Sequence, residues 1–189
     1  MSEPRPVTIY TDGACLGNPG PGGYGVVLLY DSVRKELSGG FRRTTNNRME
    51  ILAAIMGLEA LKEPCRATVY SDSQYVVNAI ELGWARKWQA NSWRRGTKEP
   101  ALNPDLWQRL LDLCSRHEVK FVWVRGHAGN LENERADRLA VAAAMQPDLP
   151  PDEVYEATQS ANGANAPAAR PGSAPRPRRF YGRPGRRSS

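Results

Sequence analysis

Five side chains in this sequence are of types that could act together as a reaction centre: the carboxylates of Asp12, Glu50, Asp72 and Asp137 and the imidazole of His127. Carboxylates brought together this way are unfavourable unless something offsets their charge. Two like charges about 4 Å apart repel by roughly 4 kcal/mol at an effective dielectric of 20. Either one carboxyl stays protonated or a divalent cation sits among them. An all-oxygen donor set with room for water suits Mg2+, with Mn2+ as a substitute. Two such ions sharing a carboxylate would clamp the attacking and leaving oxygens of a phosphoryl transfer. Histidine is the side chain suited to shuttling protons near neutral pH, and His127 lies in a loop between Gly126 and Gly129. Spacing alone does not establish that the four acids converge.

The elements that would have to position these groups are legible from periodicity. Val7, Ile9 and Thr11 alternate with Thr8, Tyr10 and Asp12, a β-branched strand that ends at the carboxylate and breaks into a Gly/Pro-rich loop over 16–23. Residues 24–30 and 34–43 read as two further strands joined by short connections, hence an antiparallel meander, with Gly39-Gly40 as a bulge or bend. Thr44-Thr45-Asn46-Asn47 opens a helix whose apolar stripe is Met49, Leu52, Ala53, Met56, Ala60 and Leu61. On that helix Glu50 is followed by Ala54 and Gly57, small residues that allow a close approach to a sheet. Residues 67–72 form a fourth strand ending in Asp72, followed by a helix over 73–82. Asn103-Pro104-Asp105 starts another helix, 119–124 is a fifth strand, and an Ala-rich helix from Glu132 to about Met145 carries Asp137. The order predicts an α/β domain, a mixed five-stranded sheet flanked by helices.

The net charge of +6 is concentrated. Seven arginines and no acids fall in 166–189, and five Lys/Arg without an acid fall between Trp84 and Lys98. Positive charge interleaved with aromatic rings points to a polyanion partner. Cys15, Cys65 and Cys114 fit neither a disulfide framework nor a zinc pattern, and read as free thiols of a reducing compartment. No apolar run is long enough to span a membrane, and no secretory segment opens the chain. The expectation is a soluble, cytoplasmic monomer with a folded domain over 1–147. From 148 to 189 it is a disordered Pro/Ala/Arg-rich basic tail that adds sequence-independent phosphate contacts.

Five stretches, in order, resemble bacterial-type ribonuclease H of type 1: 10–25 (YTDGACLGNPGPGGYG), 43–50 (RTTNNRME), 71–76 (SDSQYV), 105–110 (DLWQRL) and 123–137 (WVRGHAGNLENERAD). The likeness covers residues 7 to about 147. It implies the ribonuclease H fold and an endonuclease that cuts the RNA strand of RNA–DNA hybrids, leaving 3′-hydroxyl and 5′-phosphate ends. It also implies that Asp12, Glu50, Asp72 and Asp137 bind two Mg2+ ions, and that His127 shuttles protons or aids product release. By the same resemblance Cys15, Asn18, Asn46, Asn47 and Gln74 read the RNA side of the minor groove, where 2′-hydroxyls distinguish RNA from DNA. Arg43, Thr45 and Asn103 would hold a DNA-strand phosphate. Trp84, Lys87, Trp88 and Trp93 would belong to a basic protrusion, together with Arg86, Arg94, Arg95 and Lys98. The segment is richer in arginine than the family's lysine-rich pattern, and part of its tryptophan surface is expected to pack inward. The competing readings are a DNA nuclease of the same fold superfamily, and a non-catalytic nucleic-acid-binding protein that would betray itself by a lost carboxylate.

Overall fold

The computed structural model describes residues 3–164. Its centre is a five-stranded sheet in the order β3-β2-β1-β4-β7, built from β1 (Arg5–Cys15), β2 (Gly20–Tyr30), β3 (Val33–Thr44), β4 (Cys65–Ser71) and β7 (Glu118–Trp123). β1, β2 and β3 are antiparallel neighbours, whereas β4 runs parallel to β1 and β7 parallel to β4. The mixed sheet expected from the order of elements is present. Two short strands, β5 (Arg94–Arg95) and β6 (Glu99–Pro100), pair as a separate hairpin.

One face of the sheet receives α1 (Asn46–Glu59), whose N-cap Thr45 accepts a hydrogen bond from the Arg48 amide. The single apolar stripe expected for this helix is too narrow. Ile51, Ile55 and Leu58 are as inaccessible as Met49 and Ala53, because α1 is covered by the sheet on one side and by α4 (Pro104–Arg116) and α2 (Gln74–Glu81) on others. Trp107 of α4 is wholly buried and meets Tyr75 and Trp88 edge-on. The opposite face is covered over β1, β2 and β3 by α5 (Leu131–Ala144). Ala136 and Ala140 lie against β2 so closely that a Cβ on Gly25 would collide with the Ala136 carbonyl. Ion pairs from Arg34 to Glu132 (2.8 Å) and from Arg135 to Glu36 (2.7 Å) fasten the same helix to β3.

Two further expectations are corrected. Gly39 and Gly40 pair regularly with Tyr24 and Gly23, and the bulge lies later in β3, where Arg42 and Arg43 together oppose Pro21. Glycine is needed at 40 for space: a Cβ there would strike the Gly22 carbonyl. The folded chain also continues past 147. Residues 149–152 return along β3, and α6 (Glu153–Ala164) follows. Asp152, just ahead of α6, is buried and ion-paired to Arg48. The arginine-rich part of the expected tail lies outside the described residues. No helix among the described residues is long and apolar enough to cross a membrane.

Candidate active site

The site is assembled by one parallel pairing and one close helix approach. β1 and β4 are in register with Thr11 opposite Ser71, so Asp12, inside β1, stands beside Asp72, the first residue past β4. α1 comes down onto β1 where the strand has no side chain. A Cβ on Gly13 would collide with the backbone of Met49 and Glu50, and this contact delivers the Glu50 carboxylate to the strand ends. Gly57, four residues from Ala53 along the same helix, repeats the contact over Ile9. One oxygen each of Asp12, Glu50 and Asp72 falls within 4.8 Å of the others. Asp137, on α5, stands outside that trio. It still lies near enough to raise the proton affinity of both Asp12 and Asp72.

The trio is held in a poorly solvated place. Asp12 and Glu50 are 6% exposed. Burial, then the charges of Asp72 and Asp137, push the Asp12 carboxyl up to about 8 against the Gly13 N–H, which donates to Oδ1 at 2.7 Å. Burial also drives Glu50 well above the usual carboxylate range, reinforced by Asp12 and Asp72. Asp72 is raised for the same first reason and lowered by nearby His127. The Asn46 amide reaches Glu50 Oε1 at 3.4 Å, yet the buried Oε2 has no hydrogen-bond partner. A buried carboxylate with one oxygen unpartnered, in a group of three carboxylates, is what a hard divalent cation would satisfy. The donor set therefore fits a hard divalent cation.

His127 is exposed, with a left-handed backbone, in the loop between β7 and α5. The loop is tied down at its end, where the Asn130 side chain accepts from the amides of Glu132 and Asn133 and the Gly129 N–H donates to Glu134. It passes close to the trio: a Cβ on Gly126 would lie 2.6 Å from Asp72 Oδ2.

The residues expected to read substrate fall into three groups. Cys15, Asn18 and Asn46 form one connected patch. Asn18 accepts from the Asn46 amide at 3.2 Å, and Cys15 Sγ approaches the carbonyls of Gly17 and Thr44. Asn47 and Gln74 are exposed, on the first turns of α1 and α2. Arg43 is exposed, Thr45 caps α1, and Asn103 sits in a left-handed conformation at the start of α4, where its Oδ1 accepts from Arg48 at 3.4 Å. In the basic segment, α3 (Trp84–Ala90) is followed by the β5–β6 hairpin. Trp88 and Trp93 pack partly against the core as expected, while Trp84 and Lys87 face solvent. Sequence reasoning missed Arg48, Asp105 and Asp152, whose ion pairs lie behind this corner. The run Pro150-Pro151-Asp152-Glu153, an Asp before an acidic first helical turn, was the available signal.

Residues 4–145 match the family described as RNase H. The chain belongs to the ribonuclease H family. Ribonuclease H of Desulforamulus reducens is 72% identical to it over 148 residues, covering 78% of this chain and 93% of that protein. Among solved structures, LC9-RNase H1, described as a type 1 RNase H with the type 2 active-site motif, is 35% identical with a TM-score of 0.67, covering 76% of this chain and 74% of that one. LC11-RNase H1, solved in complex with an RNA/DNA hybrid, is 28% identical with a TM-score of 0.57, covering 73% and 96%. This ribonuclease H keeps the carboxylate trio within the matched region, whereas α6 lies beyond it.

Proposed function

We propose that this ribonuclease H is an endonuclease that hydrolyses the RNA strand of RNA–DNA hybrids with Mg2+, leaving 3′-hydroxyl and 5′-phosphate ends. The observation that carries the reading is the convergence of Asp12, Glu50 and Asp72, with one buried Glu50 oxygen left without a partner, in a chain of this family. Asp12, Glu50 and Asp72 would hold one divalent ion, and Asp12 with Asp137 a second. Such ions supply an activated water and stabilise the charge developing on the phosphate. Mn2+ suits the same oxygen donors. His127, on its loop beside Asp72, moves a proton to or from the reacting phosphate oxygens and promotes departure of the product.

Selection of the hybrid falls to the polar patch. Cys15, Asn18, Asn46, Asn47 and Gln74 face the minor groove, and amide side chains can both donate to and accept from a 2′-hydroxyl. Arg43, Thr45 and Asn103 receive a phosphate of the DNA strand, Thr45 at the start of α1 where backbone N–H groups favour an anion. Trp84, Trp88 and Trp93 offer ring surfaces to sugars, and Lys87 with the adjacent arginines offers charge to phosphates. The three free thiols support a cytoplasmic setting.

The test is cleavage of a labelled RNA–DNA hybrid with and without Mg2+, beside the same label in single-stranded RNA, duplex RNA and duplex DNA. Mg2+-dependent cuts confined to the hybrid and absent in Asp12→Asn are expected. Cleavage of duplex DNA would remove the assigned role of the 2′-hydroxyl readers, and binding without cleavage would favour a non-catalytic nucleic-acid-binding protein.

A further inference from the structure

A second buried charge cluster lies behind the substrate corner and takes no part in the chemistry above. The Arg48 guanidinium is 4% exposed and is shared between two carboxylates. Its Nε and Nη2 donate to Asp152 at 2.7 and 2.9 Å, and its Nη1 and Nη2 donate to Asp105 at 3.0 and 2.8 Å. Asp152 is equally buried and has two further partners. Thr44 Oγ1 donates to it at 2.7 Å, and its Oδ1 accepts the Tyr155 amide at 3.3 Å, capping α6. The bulge in β3 matters here. At the bulged residue Arg42 the amide turns to the Pro150 carbonyl (2.9 Å), and the Arg42 guanidinium grips Glu156 through two bonds of 2.9 and 2.7 Å.

The residues gripped from behind interleave with those assigned to substrate. Arg42, Thr44 and Arg48 engage the segment after α5, and Arg43, Thr45, Asn46 and Asn47 lie between them in sequence. Arg48 also reaches Asn103, so both halves of the phosphate corner, the start of α1 and the start of α4, meet at one guanidinium. A buried ion network of this kind contributes little net stability compared with apolar packing, but it admits few alternative arrangements. We propose that residues 148–156 form a strap that positions the substrate corner, acting through Asp152 on Thr44 and Arg48 and thereby setting the placement of Arg43, Thr45 and Asn103 on the hybrid. This rests on the hybrid-cleaving reading. Asp152 and Thr44 are positioning residues in it, since they lie behind the groups that meet the nucleic acid.

The test compares full-length Asp152→Asn and Thr44→Val with the parent in Mg2+-dependent hybrid cleavage, with thermal melting alongside. Asp152→Asn keeps the shape and removes the charge that orders Arg48, so KM rises about tenfold while kcat stays within about twofold. Thr44→Val deletes one bond and leaves the ion pairs, so KM rises about threefold with the melting temperature held. If Asp152→Asn folds poorly, Thr44→Val alone decides. In an Asn103→Ala background neither change raises KM further, because they act through the same corner. Asp152→Glu, which restores the charge, recovers part of the loss. A lowered melting temperature with KM unchanged in both variants would overturn the proposal and leave the strap a purely structural element. So would full additivity with Asn103→Ala. If Asn103→Ala and Arg43→Ala themselves leave KM unchanged while the hybrid is still cut, the assigned corner fails and the strap's role falls with it. Loss of cleavage specificity in the parent would instead mark failure of the functional reading.

Discussion

With its carboxyl pushed up to about 8, Asp12 favours the metal-free fold only while it is protonated. Its ordinary value is 3.8, so the stability it contributes is complete below that pH and is lost as pH rises through about 8. Glu50 and Asp72 shift in the same direction and add to the trend. The metal-free protein is therefore expected to melt lower at alkaline than at mildly acidic pH, and Mg2+ to reverse the difference, which a series of melts in chelator and in Mg2+ would measure. Asp12→Asn should flatten the chelator series, leave the metal-free melting temperature equal or higher, and reduce cleavage by more than about a hundredfold. Marked unfolding of that variant would mean that Asp12 is structural. His127→Ala should lower kcat by about a hundredfold while Mg2+ still raises the melting temperature, since the imidazole lies outside the carboxylate trio. The identities of these groups were legible because each stands in a motif on a recognisable strand end or helix. The depth at which Glu50 sits was not, because it follows from a backbone contact at Gly13 that no side-chain pattern announces.

At the level of elements, the sheet and its flanking helices could be read from alternation and from breaks at Gly and Pro, whereas a helix covered on several sides has no single stripe to read. α1 is such a helix, and its one buried cation is held by partners on two other elements, Asp105 on α4 and Asp152 before α6. Arg48→Met would leave both acids facing a buried apolar stem and should cost about 3 kcal/mol in denaturant unfolding. α6 was hidden by composition. The Ala, Pro, Gly and Arg content of the whole C-terminal stretch outweighed the local capping sequence, and the ion pair that secures it is a long-range contact. A different joint closes the sheet's far end. Buried His117, at the end of α4, accepts the Cys65 amide of β4 on Nδ1 at 3.2 Å while Nε2 has no partner. Burial and neighbouring Arg116 hold its pKa below the usual 6.5. The unfolded chain thus takes up the proton first, and the stability present above about 6.5 is lost as pH falls through the window below it. His117→Asn, which keeps an acceptor for the Cys65 amide without the titration, should soften the acid limb of the melting profile. An unchanged limb would assign acid sensitivity to other groups.

Across the whole molecule, both free edges of the sheet carry a cover. The strap takes the Arg42 amide on β3, and the Glu81 carboxylate takes the Phe121 amide on β7 at 2.7 Å. The folded chain therefore continues past 147 into α6, and a study of the arginine-rich tail should truncate after Ala164. That truncation removes seven arginines, and it should weaken hybrid binding and make its salt dependence shallower. An unchanged slope would deny the tail any phosphate contacts. One property of the sheet has a consequence for biosynthesis. Thr11 and Ser71 are partners across the parallel pair, and Asp137 comes from a helix laid down later still. The chemistry thus depends on contacts between segments separated by long stretches of chain, which close late and together. A ribosome that has made the first two-thirds of the polypeptide has made no cutting edge. A chain that stops before α5 lacks Asp137, so a fragment ending at residue 126 is expected to show no hybrid cleavage, which the labelled-hybrid assay would check.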